Sequence, residues 1–113
     1  MNPVVSAQRP LKHYVWGAGC DGWNLVDTPE LSVKQERMPP HTAEATHYHR
    51  VARQFFFILE GTAVFETSEG RVEVAAKEGF EIEPGLKHSI KNESDTELVF
   101  ILCSQPSTTN DRI

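Results

Sequence analysis

Residues 47–61 read HYHRVARQFFFILEG. Two histidines separated by a tyrosine precede Gln54, and this amide opens the most apolar run of the chain, Phe55 to Leu59. Glu60 and Gly61 close it. The run is short for a helix and rich in β-forming residues. In a strand, alternate side chains share a face, so His47 and His49 point the same way. Gln54, Phe56 and Ile58 share one side of the next strand, and Phe55, Phe57 and Leu59 share the other. A strand apolar on both sides is expected to be covered on both, here by a sheet layer or by a partner chain.

Outward from this stretch the text remains β. LSVKQERM (31–38) places Leu31, Val33, Gln35 and Arg37 on one face, and Pro39 and Pro40 end it. ATHYHRV (45–51), TAVFET (62–67), RVEVAA (71–76), GFEIEPG (79–85), LKHSIKN (86–92) and ELVFILC (97–103) follow, with a turn at SEG (68–70). About seven or eight short, evenly spaced strands argue an all-β sandwich or barrel. Residues 1–30 carry Pro3, Pro10, Gly17, Gly19, Gly22 and Pro29. This density of breakers predicts loops and short extended pieces packed on a barrel of residues 31–104. Residues 105–113 read as a polar tail.

The length of 113 residues suits one domain. A formal net charge of −5, with scattered basic residues, argues against a nucleic-acid partner. Cys20 and Cys103 lie far apart without a CxxC, and read as reduced, packed thiols. No N-terminal apolar leader and no membrane-length apolar run occurs, so a soluble, cytoplasmic chain without a membrane partner is expected.

The chain has five histidines. His13 and His41, taken singly, read as surface or hydrogen-bonded residues. A bare His-x-His is a weak metal signal, but a second cluster strengthens it. In PGLKHSIKN (84–92), Gly85, His88 and Asn92 stand as G-x2-H-x3-N. With His41-x5-His47-x-His49-x4-Gln54-x6-Gly61, this resembles the two motifs of the RmlC-like cupin superfamily, in particular its small single-domain, conserved-barrel members. The first family motif is G-x5-H-x-H-x(3,4)-E-x6-G and the second G-x5-P-x-G-x2-H-x3-N. Here His41 replaces the first Gly, Gln54 replaces Glu, and Glu83 takes the usual Pro position with Pro84 one later.

The resemblance implies a double-stranded β-helix, a jelly-roll barrel open at one end, often paired as a homodimer. It implies His47, His49, Gln54 and His88 as ligands of a divalent transition metal: Mn, Fe, Co, Ni or Zn. Three neutral imidazoles with a carboxylate leave such a site at formally +1, and an amide leaves it at +2. The amide is the weaker donor, so metal should bind less tightly and act as a stronger electrophile. Some small cupins acting on uronate sugars are similar in using three His and a Gln. In the other reading, Gln54 only hydrogen-bonds a neighbour.

Gln35 and Arg37, if their face lines the barrel, are candidates for substrate binding, Arg37 by its fork of donors to a carboxylate or phosphate. Phe56 is a third candidate. The function expected is Lewis-acid chemistry, such as isomerisation or ring-opening, on a small polar, anionic metabolite: a sugar acid, keto acid or sugar derivative. A noncatalytic binding or sensing module, a metal-free sugar isomerase or epimerase, and a metal-dependent dioxygenase stay open, and so does whether the chain is an enzyme.

Overall fold

The apolar run becomes a strand in which Gln54, Phe56 and Ile58 turn inward and are buried, in a computed structural model that describes residues 2–113. Among the described residues the regular elements are all strands: β1 (Lys12–Trp16), β2 (Cys20–Asp27), β3 (Ser32–Met38), β4 (Thr42–Ala43), β5 (Arg53–Glu60), β6 (Thr62–Thr67), β7 (Gly70–Ala75), β8 (Gly79–Ile82), β9 (His88–Asn92) and β10 (Leu98–Gln105). Six form one antiparallel sheet in the order β1-β2-β3-β10-β5-β8, and four form a second in the order β4-β9-β6-β7. This is the all-β jelly-roll barrel that the motifs imply.

The sheets meet through aromatic side chains. Phe56 of β5 lies edge-on to Phe65 of β6 with ring centroids 5.0 Å apart, and tilts against Phe100 of β10 at 5.7 Å. Ile58, Ile82, Ile90, Leu98 and Met38 fill the space around them. Gly61 turns the chain from β5 into β6 at φ +81°, where an added Cβ would collide with the Glu97 carbonyl.

Asn92 closes the end of β9. It is fully buried, and its amide nitrogen donates to the carbonyls of Met38, Pro39 and Thr96 at 3.0, 3.1 and 2.8 Å. Its oxygen accepts from the backbone and hydroxyl of Ser94. The motif asparagine is therefore a latch for two crossings of the chain, remote in role from any ligand.

Several expectations need correction. The extended pieces expected in the first thirty residues are more regular than loops and short segments: β1 and β2 form a hairpin that extends the six-stranded sheet through β3. Within the single chain no second sheet layer covers the outer side of β5, where Phe55 is 42% exposed and Phe57 and Leu59 are half-buried. Residues 45–51 form isolated bridges rather than a regular strand, His47 with His88 and His49 with Arg112. The final residues fold back onto this segment instead of trailing away. On β3 the inward residues are Ser32, Glu36 and Met38, so Gln35 and Arg37 occupy the opposite, outer face.

Phe65→Ala should lower the unfolding free energy by about 3–5 kcal/mol, because a fully buried aromatic at the sheet contact leaves a cavity. Val15→Ala, on a side chain 67% exposed, should change it by about 0.5 kcal/mol or less. Urea titration followed by tryptophan fluorescence checks both, and similar small values for the two would contradict the packing described.

Candidate metal centre

Two elements bring the histidines together. His88 begins β9 just after an EPGL turn, in which Leu86 N–H donates to the Glu83 carbonyl. Pro84 and Gly85, the latter at φ +84°, occupy the central positions of a type II turn. The displaced Pro therefore builds the turn in its own way, and Gly85 N–H donates to the His49 carbonyl at 2.7 Å. His47 faces His88 through two reciprocal backbone bonds of 3.0 and 2.9 Å. Side chains of directly opposed residues are close neighbours. The ring centroids are 4.5 Å apart for His47–His88, 4.9 Å for His47–His49 and 5.8 Å for His49–His88.

One ring nitrogen from each histidine lies within 4.8 Å of the others, a buried group able to hold a metal ion. The other nitrogen of each ring is engaged. Nδ1 contacts the carbonyl of Ala45 in His47 (2.8 Å), of Asp111 in His49 (2.9 Å) and of Leu86 in His88 (2.8 Å). A carbonyl can only accept, so each Nδ1 carries the proton and each Nε2 is left with its lone pair free. Burial pushes the His47 pKa down to about 4, and those of His49 and His88 also fall through burial. Neutral imidazole is the form that binds metal.

Gln54, on β5, lines the same cavity as His47 and His49. Its Nε2 donates to Ser104 Oγ at 3.1 Å, while its Oε1 is buried without a partner. His88 Nε2 is likewise buried and unpartnered. A buried acceptor left without a donor costs free energy, and these two atoms suit a bound cation.

The cavity holds about 220 Å³ and is also lined by Tyr14, Trp16, Lys34, Glu36, Glu44, Phe56, Leu102, Thr108 and Arg112. Tyr14 donates its hydroxyl to Glu36 Oε2, and the Lys34 ammonium stands 5.4 Å from the Tyr14 ring centroid. Gly22 leaves the space that the Tyr14 ring occupies, since a Cβ there would overlap it. Burial raises the Glu36 pKa against the opposing Tyr14 hydrogen bond, and pushes that of Glu44 up to about 7. Arg112 lies 3.8 Å from Glu44, which is itself 3.8 Å from His47 Nδ1.

Of the residues singled out in the sequence, the structure brings His47, His49, Gln54 and Phe56 to this cavity, with His88 completing the histidine group. It excludes Gln35 and Arg37. Gln35 pairs with Trp23 and Ile101 on the outer face. Arg37 is spent on Asp21 at 3.0 Å and Glu97 at 2.5 Å. His13 pairs with Asp21 and His41 with Asp95. His41 has φ +59°, which explains why the family favours Gly at its position.

The sequence reading missed Tyr14, Lys34, Glu36, Thr108 and Arg112. Lys34 and Glu36 were legible as the opposite parity of β3. The other three come from segments that carry no periodic signal.

The cupin domain family matches residues 34–104, and the chain belongs to that family. Among solved structures, an RmlC-like cupin from Shewanella frigidimarina is similar at TM-score 0.84 and 16% identity, over 97% of this chain and 96% of that one. A predicted oxalate decarboxylase from Thermotoga maritima gives 0.80 and 21%, over 93% and 100%. A sugar phosphate isomerase from Silicibacter pomeroyi gives 0.78 and 16%, over 93% and 76%. At these identities the likeness establishes the fold alone. No curated protein matches the chain by sequence. Among the described residues no helix is long and apolar enough to cross a membrane.

Tyr14→Phe should lower stability by about 1–3 kcal/mol at neutral pH, because it leaves the buried Glu36 carboxyl without its donor. Urea midpoints of the variant and the parent measure this, and equal midpoints would show that the pair adds nothing.

Proposed function

We propose that the chain is a metal-dependent enzyme acting on a small, polar, anionic metabolite (a sugar acid, keto acid or sugar derivative) by isomerisation or ring-opening. The observation carrying this reading is the set of three imidazoles whose Nδ1–H groups are all committed to backbone carbonyls, beside the unpartnered Gln54 Oε1. His47, His49 and His88 would hold a divalent transition metal through Nε2, with Gln54 Oε1 as an oxygen donor. When bound, such a metal supplies Lewis acidity toward a substrate carbonyl or hydroxyl.

The remaining residues bind and orient. Lys34 and Arg112 offset Glu36 and Glu44 in charge, so the neutral donor set leaves the loaded cavity net positive and suited to an anion. The carboxyl groups of Glu36 and Glu44 can take hydrogen bonds from substrate hydroxyls. Phe56, Trp16 and Leu102 supply an apolar wall that limits water. The volume lies below the roughly 300–1,000 Å³ of pockets for drug-sized ligands, which favours a small metabolite. The fold shared with a sugar phosphate isomerase agrees with a sugar-derived substrate. Pairing of two copies across the exposed Phe55 and Leu31 belongs to the same reading.

Metal analysis of protein purified without a histidine tag tests the reading first. About one equivalent is expected, lost in His88→Ala without loss of the β circular-dichroism signal, and held more tightly in Gln54→Glu. Less than about a tenth of an equivalent, unchanged by added Mn, Fe, Co, Ni or Zn, would overturn it. A proton-NMR turnover screen of sugar acids and keto acids follows. Conversion that falls in Arg112→Gln chiefly through a raised KM is expected, whereas binding without any conversion would make the chain a binding module.

A further inference from the structure

The three histidines are not oriented in the same way. His47 and His88 each give Nδ1–H to the carbonyl two residues earlier, Ala45 and Leu86. Their ring orientation is thus set locally. His49 gives Nδ1–H to the Asp111 carbonyl, 62 residues away. Its orientation depends on where the last residues of the chain lie.

Those residues are held by Asp111 itself. Its carboxylate accepts the backbone N–H of Arg50 at 2.8 Å, Val51 at 3.0 Å and Ala52 at 2.9 Å. These hydrogen bonds pull its pKa below the usual carboxylate range. Its own N–H donates to the Thr108 carbonyl at 2.9 Å, and Ile113 exchanges two backbone bonds with Tyr48 at 2.9 and 3.0 Å. The clamped loop runs from His49 to Gln54, so one side chain ties the tail to the segment carrying both residues. The tail also lies outside the stretch matched by the family, residues 34–104.

We propose that Asp111 is a positioning residue of the metal centre: by clamping residues 108–113 onto the Arg50–Ala52 loop, it fixes the ring orientation and tautomer of His49. This rests on the reading that the three histidines hold a metal. A bond that fixes a ligand's tautomer commonly carries roughly ten- to hundred-fold in metal affinity.

The test compares full-length parent, Asp111→Ala, Asp111→Asn and, as a destabilised control away from the site, Val74→Ala. Long-range proton–nitrogen NMR of the metal-free proteins reads each histidine's tautomer. Titration with Co²⁺ against a chelator, followed in the visible spectrum, reads affinity and ligand geometry. In Asp111→Ala, His49 alone should leave the Nδ1–H form, and Co²⁺ affinity should fall roughly ten- to hundred-fold with an altered spectrum. Asp111→Asn, which keeps an acceptor oxygen, should recover part of both, and Val74→Ala should keep the parent's affinity and spectrum.

An Asp111→Ala protein with the parent's His49 tautomer and Co²⁺ affinity overturns the proposal. So does a loss matched by Val74→Ala at equal stability. If the parent takes up no Co²⁺, the metal reading fails, and an unmoved His49 tautomer in Asp111→Ala would still overturn the clamp.

Discussion

The reciprocal backbone pair between His47 and His88 is the constraint on which the site depends. Two N–H···O=C bonds, 3.0 and 2.9 Å long, lock a short irregular segment against the start of β9. Because opposed residues project to one side, this pair alone sets two imidazoles side by side with centroids 4.5 Å apart. The His49 carbonyl then receives Gly85 N–H, which joins the turn before His88 to the other end of the same segment. The two motifs are therefore one hydrogen-bonded unit. Their spacing is fixed because a residue added within either would break this pairing or turn a histidine away.

Around this unit the barrel supplies what free imidazoles in water lack. The core aromatics hold β5 and β6 at a fixed separation, so Gln54 enters the cavity from a strand packed along its length. Each Nδ1–H is bonded to a carbonyl, which leaves Nε2 as an acceptor in a neutral ring. The donor set is built before any ligand arrives. Preorganisation of this kind lowers the free-energy cost of binding.

Much of this was legible in the sequence, and the misreadings have physical reasons. Histidine spacing survives any change in the outer strands, so the resemblance carried by G-x2-H-x3-N and His-x-His was enough to place His47, His49 and His88 together. Alternation correctly put Gln54, Phe56 and Ile58 on one side of β5, and that side is the buried one. It failed on β3, where apolar Leu31 and Val33 mark the outer face while Ser32, Lys34 and Glu36 turn inward. The inner face of β3 borders a polar cavity there, so the equation of apolar with inside breaks down where function needs polar groups. Tyr14 was hidden among glycines and prolines that serve a hairpin. The tail was hidden by its polarity, and that polarity is what lets Asp111 bond to a loop.

The central claim is that three histidines, and not the other two, present Nε2 lone pairs to a common centre. Long-range proton–nitrogen NMR of uniformly labelled protein, recorded before and after addition of Zn²⁺, tests it most directly. The account predicts that the Nε2 resonances of His47, His49 and His88 move together and saturate near about one equivalent. His13 and His41, bonded to Asp21 and Asp95 at the surface, should stay in place. Movement confined to His13 and His41, or no movement of the buried three, would contradict it.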